Sequence, residues 1–234
     1  MLQPFVISKQ EKSVRNKIRV WDLPTRIFHW LLSACVIALF VTSKIGGATM
    51  KWHFFLGYFV LALLLFRLFW GFVGGHWSRF SSFHFAPAKL SRYLRGHSDV
   101  SFLVGHNPVG SFSVIAMLLF LFLQVTTGLF SDDEIAASGP FTSMVTNEIV
   151  SLATSYHKAI GQFILITLVT VHVIAILVYL LYKRQNLIRP MLLGDKEVNH
   201  PMASSVDDTR SRFRALVVAI ACLGLVVWML QMTP

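Results

Sequence analysis

The stretch YHKAIGQFILITLVTVHVIAILVYLLY, residues 156–182, decides how this chain is read. A helix needs about 20 mostly apolar residues to cross a bilayer, and this run exceeds that. It nevertheless carries two histidines, His157 and His172, fifteen residues apart. At about 1.5 Å rise and about 100° per residue, they lie roughly 22 Å apart along the axis and about 60° apart around it. One imidazole therefore sits near each membrane surface, on nearly one face. Ionisable groups at such depths are costly and point to function.

Four more apolar runs flank this one, at residues 25–42, 52–72, 112–130 and 213–232. His29 lies near the start of the first and His53 near the start of the second. The whole chain is 55% hydrophobic and 14% charged, with a mean hydropathy of +0.62. These values describe an all-α integral membrane protein and exclude a soluble domain. The expected architecture is a four-helix transmembrane bundle over residues 1–196. A linker and a fifth transmembrane helix then occupy 197–234. The fifth run has no charged, histidine or asparagine residue from Ala215 to Leu230, so it reads as a peripheral packing helix on a loose tether. The first run starts late and lacks a small-residue cleavage site, unlike a signal peptide. Trp21 and Trp30 are its expected interface anchors.

Lys and Arg fall on alternate sides of these runs. One side holds Lys9, Lys12, Arg15, Lys17, Arg19 and Arg26, then Arg79, Lys89, Arg92 and Arg95, then Lys183, Arg184, Arg189, Lys196, Arg210 and Arg212. The other holds Lys44, Lys51 and Lys158 beside the acidic Asp132, Asp133, Glu134 and Glu148. The positive-inside rule then puts the N-terminus in the cytoplasm and the C-terminus outside. The net charge of +10 is a topology signal and calls for no nucleic acid.

Depth pairs the histidines: His29 with His172 near the cytoplasm, and His53 with His157 near the outside. Two neutral imidazoles on facing helices fill both axial positions of an iron, which suits two haems and electron transfer. Cys35 and Cys222 form no C-x-x-C-H attachment site, so the haems are expected to be non-covalent and b-type. Gly57 and Gly161 each lie four residues after a histidine, on its face, where they remove bulk beside a porphyrin. Ser33 and Ala175 follow the same small-residue logic after His29 and His172. Arg67, fourteen residues past His53, falls about 21 Å deeper and within about 40° of its face, at the depth of the inner pair. Arg67 and Arg26 are the expected partners of haem propionates. The remaining loop histidines, His76, His84, His97 and His200, read as solvated. The plainer alternative makes the span histidines structural residues at helix interfaces.

Further motifs carry a resemblance. They are Val20-Trp21-Asp22-Leu23-Pro24-Thr25-Arg26-Ile27-Phe28-His29-Trp30, Arg67-Leu68-Phe69-Trp70-Gly71-Phe72-Val73-Gly74, Gly105-His106-Asn107-Pro108, His157 with Gly161, His172, and Arg189-Pro190-Met191 ahead of Gly194. From about residue 20 to 196 the chain resembles bacterial di-haem cytochromes of the b561 group, and is similar to hydrogenase b-type cytochrome subunits. The resemblance implies a four-helix bundle with two b haems on His29, His53, His157 and His172. It also implies electron transfer between the quinone pool and a separate redox protein. The alternative within the same family is a membrane-anchor cytochrome subunit of a larger oxidoreductase such as a hydrogenase. A reading from another class is a haem-free transporter whose histidines relay protons. His106 and Asn107 are the expected hydrogen-bonding groups for a quinone, although a Pro-initiated helix start also explains Asn107. The acidic loop at Asp132-Asp133 suits a basic periplasmic c-type cytochrome and resembles stand-alone members more than hydrogenase anchors. The fifth span departs from the family's pattern.

Overall fold

The structure is a computed structural model that describes residues 16–97, 102, 104–133 and 137–232. Lys9, Lys12, Arg15 and Glu134, which enter the charge pattern, lie outside the described residues. Five helical segments are long and apolar enough to cross a membrane. They contain α1 (Leu23–Ile45), α2 (Met50–Val73), α4 (Pro108–Leu129), α6 (Gln162–Leu181) and α8 (Thr209–Gln231). Shorter elements join them: β1 (Asn16–Arg19), α3 (Pro87–Leu94), α5 (Asn147–Ser155), α7 (Ile188–Leu193) and β2 (Asp195–Val198). The all-α membrane architecture expected from composition is thus present.

Helix starts follow local chemistry. Asp22 caps α1 by accepting from Thr25 N at 2.8 Å, ahead of Pro24 in the first turn. Asn107 caps α4 through Gly110 N at 2.7 Å, just before Pro108. Asp208 caps α8 through Ser211 N at 2.7 Å. Each side chain satisfies a backbone N–H that a helix start leaves open.

The fourth crossing differs from its expected start. Helix continues unbroken from Asn147, nine residues before 156, and a π turn at Tyr156–Gly161 joins α5 to α6. The candidate span runs for 35 residues, well beyond the bilayer core, so α5 projects past it.

Packing divides the bundle. α1 and α8 both lie against α2, where Phe28, Phe66, Trp70, Ala215 and Cys222 form one buried cluster. α4 also touches α2, and α6 lies along α4. α6 itself has no buried residue. α8, packed against α2, also touches α1. Cys35 and Cys222 are buried free thiols.

The basic end carries a folded cap. β1 pairs antiparallel with β2, from Asn16 opposite Val198 to Arg19 opposite Asp195. The segment leading to α8 is not the loose tether expected. Ser205 N donates to Arg19 O at 2.7 Å, Ser205 Oγ to Val20 O at 2.8 Å, and Trp77 Nε1 to Ala203 O at 2.8 Å. Asp207 accepts from Leu23 N and pairs with Arg19 and Arg212. Polar residues that lack periodicity find these partners only when the chain ends meet, and the 196/197 division falls inside β2. Trp21 is also reassigned: it is 7% exposed and packs in this cap, whereas Trp30 at 43% is the outward-facing ring.

Candidate functional site

The site lies where His172 of α6 and His157 of the π turn before it face His29 of α1 and His53 of α2. The rings of His29 and His172 are 6.5 Å apart, centre to centre. Those of His53 and His157 are 6.2 Å apart. The pairs are those that depth assigns. Imidazole nitrogens bind transition metals at about 2 Å, so two rings sharing one metal have centres about 6 Å apart. Both separations fit that requirement.

The pair at the end opposite the basic cap is held by backbone carbonyls. His157 Nδ1 donates to Gln124 O at 2.8 Å, and His53 Nδ1 donates to Leu39 O at 3.0 Å. A carbonyl only accepts, so Nδ1 carries the proton in each ring and Nε2 keeps its lone pair. Such a contact fixes the tautomer and orientation that a metal-ligating histidine needs. Gln124 also donates from Nε2 to His157 O at 2.9 Å, gripping the residue twice.

The π turn shifts the rotation between His157 and His172. A π turn uses one more residue than an α turn, so fifteen residues rotate roughly as fourteen would. The offset then falls from about 60° to about 40°. No periodicity in the sequence marks that turn.

The glycines divide. A Cβ on Gly57 would meet nothing within 4 Å, so the space there is open. Gly161 is different: its missing Cβ makes room for the Gln124 and Tyr156 side chains and not for a planar ring. Gly128 on α4 has the role that sequence reading missed. A Cβ there would stand 2.8 Å from His157 Cε1, so only glycine lets the imidazole lie against α4. Its partner is 29 residues away in sequence, which is why spacing does not reveal it.

Toward the basic end, four buried polar atoms have no hydrogen-bond partner among the described residues: Arg26 Nε, His29 Nδ1, Arg67 Nη1 and His106 Nδ1. Arg67 is 4% exposed, and its guanidinium lies 4.7 Å over the Phe80 ring. Arg26 donates from Nη1 to Leu192 O at 2.6 Å. Unmet donors beside a histidine pair are the chemistry that a carboxylate-bearing cofactor satisfies. The residues present therefore fit a carboxylate-bearing group such as haem.

His106 sits between Trp21 and Phe83, at 4.7 Å and 4.8 Å from their rings. Burial pushes its pKa down to about 3, with Arg67, His172, His29 and His84 adding to the effect. Its imidazole is neutral at physiological pH. Asn107 is bound into the structure on two sides, since besides capping α4 its Nδ2 donates to Tyr179 Oη at 2.6 Å. The Tyr179 hydroxyl in turn bonds that of Tyr93. Of the other loop histidines, His76, His97 and His200 are exposed as expected, but His84 is half-buried against Phe102.

At the opposite end, Asp133 Oδ1 accepts from Ala137 N at 2.9 Å, and Lys158 Nζ donates to Asp132 O at 3.1 Å. The acidic loop thus uses its polar groups partly to close itself.

A membrane bundle with two facing histidine pairs has the build of a multi-pass b-type cytochrome. The family model for prokaryotic cytochrome b561 matches residues 20–194, and the chain belongs to that family. Among curated proteins it is 25% identical to the probable Ni/Fe-hydrogenase B-type cytochrome subunit of Rhizobium leguminosarum bv. viciae, over 80% of this chain and 92% of that one. It is 26% identical to the corresponding probable subunit of Cupriavidus necator, over 75% and 85%. It is also 28% identical to the probable Ni/Fe-hydrogenase 1 B-type cytochrome subunit of Escherichia coli K12, over 54% and 66%. No solved structure matches the chain. All three relatives are hydrogenase b-type cytochrome subunits by name, which agrees better with the anchor-subunit alternative than with the reading that the resemblance put first, transfer to a separate redox protein.

Proposed function

We propose that this chain is the membrane-anchoring b-type cytochrome subunit of a larger oxidoreductase such as a hydrogenase. It carries electrons across a bacterial inner membrane between a partner redox subunit and the quinone pool. The observation that carries the reading is the pair of imidazole separations, 6.5 Å and 6.2 Å, each matched to one shared iron. His29 with His172 would hold one haem and His53 with His157 the other. When bound, each haem would supply reversible one-electron transfer.

The remaining roles belong to the chain. Leu39 O and Gln124 O hold the opposite-end imidazoles in the ligating tautomer. Arg67 and Arg26 bind propionates at the basic end, which faces the cytoplasm. Neutral His106 and the second amide N–H of Asn107 meet a quinone there, with His106 able to donate from one nitrogen and accept at the other. The names of the relatives favour an oxidoreductase subunit as partner over a separate c-type cytochrome.

Absorption spectra of the purified protein test the haem reading against a haem-free histidine relay. Sharp reduced α-bands with about two haems per chain are expected, and a featureless spectrum from haem-supplemented cells overturns it. Co-purification separates subunit from stand-alone protein, since only a subunit brings its oxidoreductase partner with it.

Two variants probe the basic end. Arg67→Leu is expected to lower the midpoint potential of the haem at that end by roughly 30–60 mV, where 59 mV is a tenfold change for one electron. Reduction adds negative charge, and a nearby cation stabilises the reduced form, so losing the cation lowers the potential. A redox titration that shifts only the other haem contradicts the placement. His106→Ala is expected to slow quinol-dependent reduction several-fold while dithionite still reduces both haems, with Asn107→Leu doing the same. Unchanged quinol rates in both variants would remove the quinone site from this position.

A further inference from the structure

Below the end of α6 the chain turns sharply at Arg184, a non-glycine residue with φ of 55°. Asn186 Oδ1 accepts from Ile188 N and Arg189 N at 3.0 Å and 2.9 Å, which fixes the next turn. Arg184 and Arg189 are thereby held on one side of a cavity of about 380 Å³, with Lys17 and Lys196 of the β1–β2 ladder also on its walls. Four cations thus share one small space with two carboxylates, Asp195 and Glu197. Asp195 is already paired with Lys17 at 3.1 Å and with Arg19 at 2.8 Å, so its charge is neutralised from outside the cavity as well. The lining keeps a net positive charge.

The cavity adjoins the C-terminal end of a membrane-crossing helix, at the depth where phospholipid headgroups lie. Leu193 lines it and is 56% exposed, and Leu192 beside it is 53% exposed. Tyr182, the residue after α6, is 83% exposed. Cations set over outward-facing apolar side chains match an amphiphile with an anionic head. Guanidinium groups suit phosphate oxygens because their N–H groups form a planar fork.

We propose that this cavity binds a phosphate group, supplied by the headgroup of an anionic membrane lipid whose chains lie along Leu193 and Tyr182. None of the residues assigned to haem takes part.

The test is calorimetric titration of the detergent-solubilised full-length protein with dihexanoyl phosphatidylglycerol, dihexanoyl phosphatidylcholine and inorganic phosphate. Saturable binding of the phosphatidylglycerol is expected, weakened at least tenfold in Arg184→Gln/Arg189→Gln. Both arginines are exposed, so the fold should survive, and Arg189→Gln alone should give an intermediate loss. Lys89→Gln/Arg92→Gln on α3 removes equal charge from the same end and is expected to change nothing. If inorganic phosphate binds as tightly as the lipid and displaces it, the phosphate site stands but the lipid source is wrong. Equal binding of phosphatidylcholine, equal weakening by the α3 variant, or no saturable binding overturns the proposal.

Discussion

Replacing His53 or His157 with alanine is expected to leave about one haem per chain, with the basic-end site still filled. His29→Ala or His172→Ala should give the complementary loss. Each variant would remove one of the two imidazoles proposed to share an iron, and the remaining one would hold it weakly. The pairing rests on ring separations of 6.2 Å and 6.5 Å. Pyridine haemochrome counting and a two-component redox titration read the outcome. If His29→Ala and His53→Ala empty the same component, the pairing is wrong. Gly128→Ala is a milder probe of the same site, because its methyl would push on His157 Cε1.

The second large effect is expected at Asp22, which is fully buried. Its carboxylate accepts from Thr25 N at 2.8 Å, Trp70 Nε1 at 3.2 Å, Gly75 N at 2.9 Å and Ser78 Oγ at 2.8 Å. One side chain thereby ties the start of α1 to the end of α2 and the turn beyond it. Asp22→Ala leaves those donors buried without an acceptor, and breaking a buried charged network costs about 3–5 kcal/mol. At this chain length that is a fall in apparent melting temperature of about 10 °C. Asp22→Asn, which keeps one acceptor oxygen, should fall between the two. A melting temperature for Asp22→Ala within about 2 °C of the parent shows that the network is not holding the helices together.

Much of the architecture is legible because the membrane imposes it. Apolar runs long enough to cross a bilayer read directly from composition, and the alternation of Lys and Arg orders them. Depth is a one-dimensional property, so counting residues along each run is enough to match His29 to His172 and His53 to His157. Neighbour effects also read locally: Pro108 after Asn107 marks a helix start without any tertiary knowledge.

Rotation and contact between distant segments are different. The π turn at Tyr156–Gly161 changes which face His157 presents, and nothing in an apolar run distinguishes it from α-helix. Gly161 is spaced as if to clear a ring beside His157, yet the space it leaves is occupied by Gln124 from another helix. Gly128, with no histidine at helical spacing in its own run, is the residue that makes room for that imidazole. The cap is a similar case, since Trp21, Ser205 and Asp207 carry no pattern until β1 and β2 pair.

The sequence by itself therefore determined the number of apolar crossings and the spacing of each histidine along them, because hydrophobic thickness acts on every residue separately. Only the tertiary structure decided which nitrogen each opposite-end ring keeps free, which glycine admits His157 and where Asp22 anchors α1 to α2. Those outcomes depend on hydrogen bonds and close contacts between residues that meet only after the helices have packed.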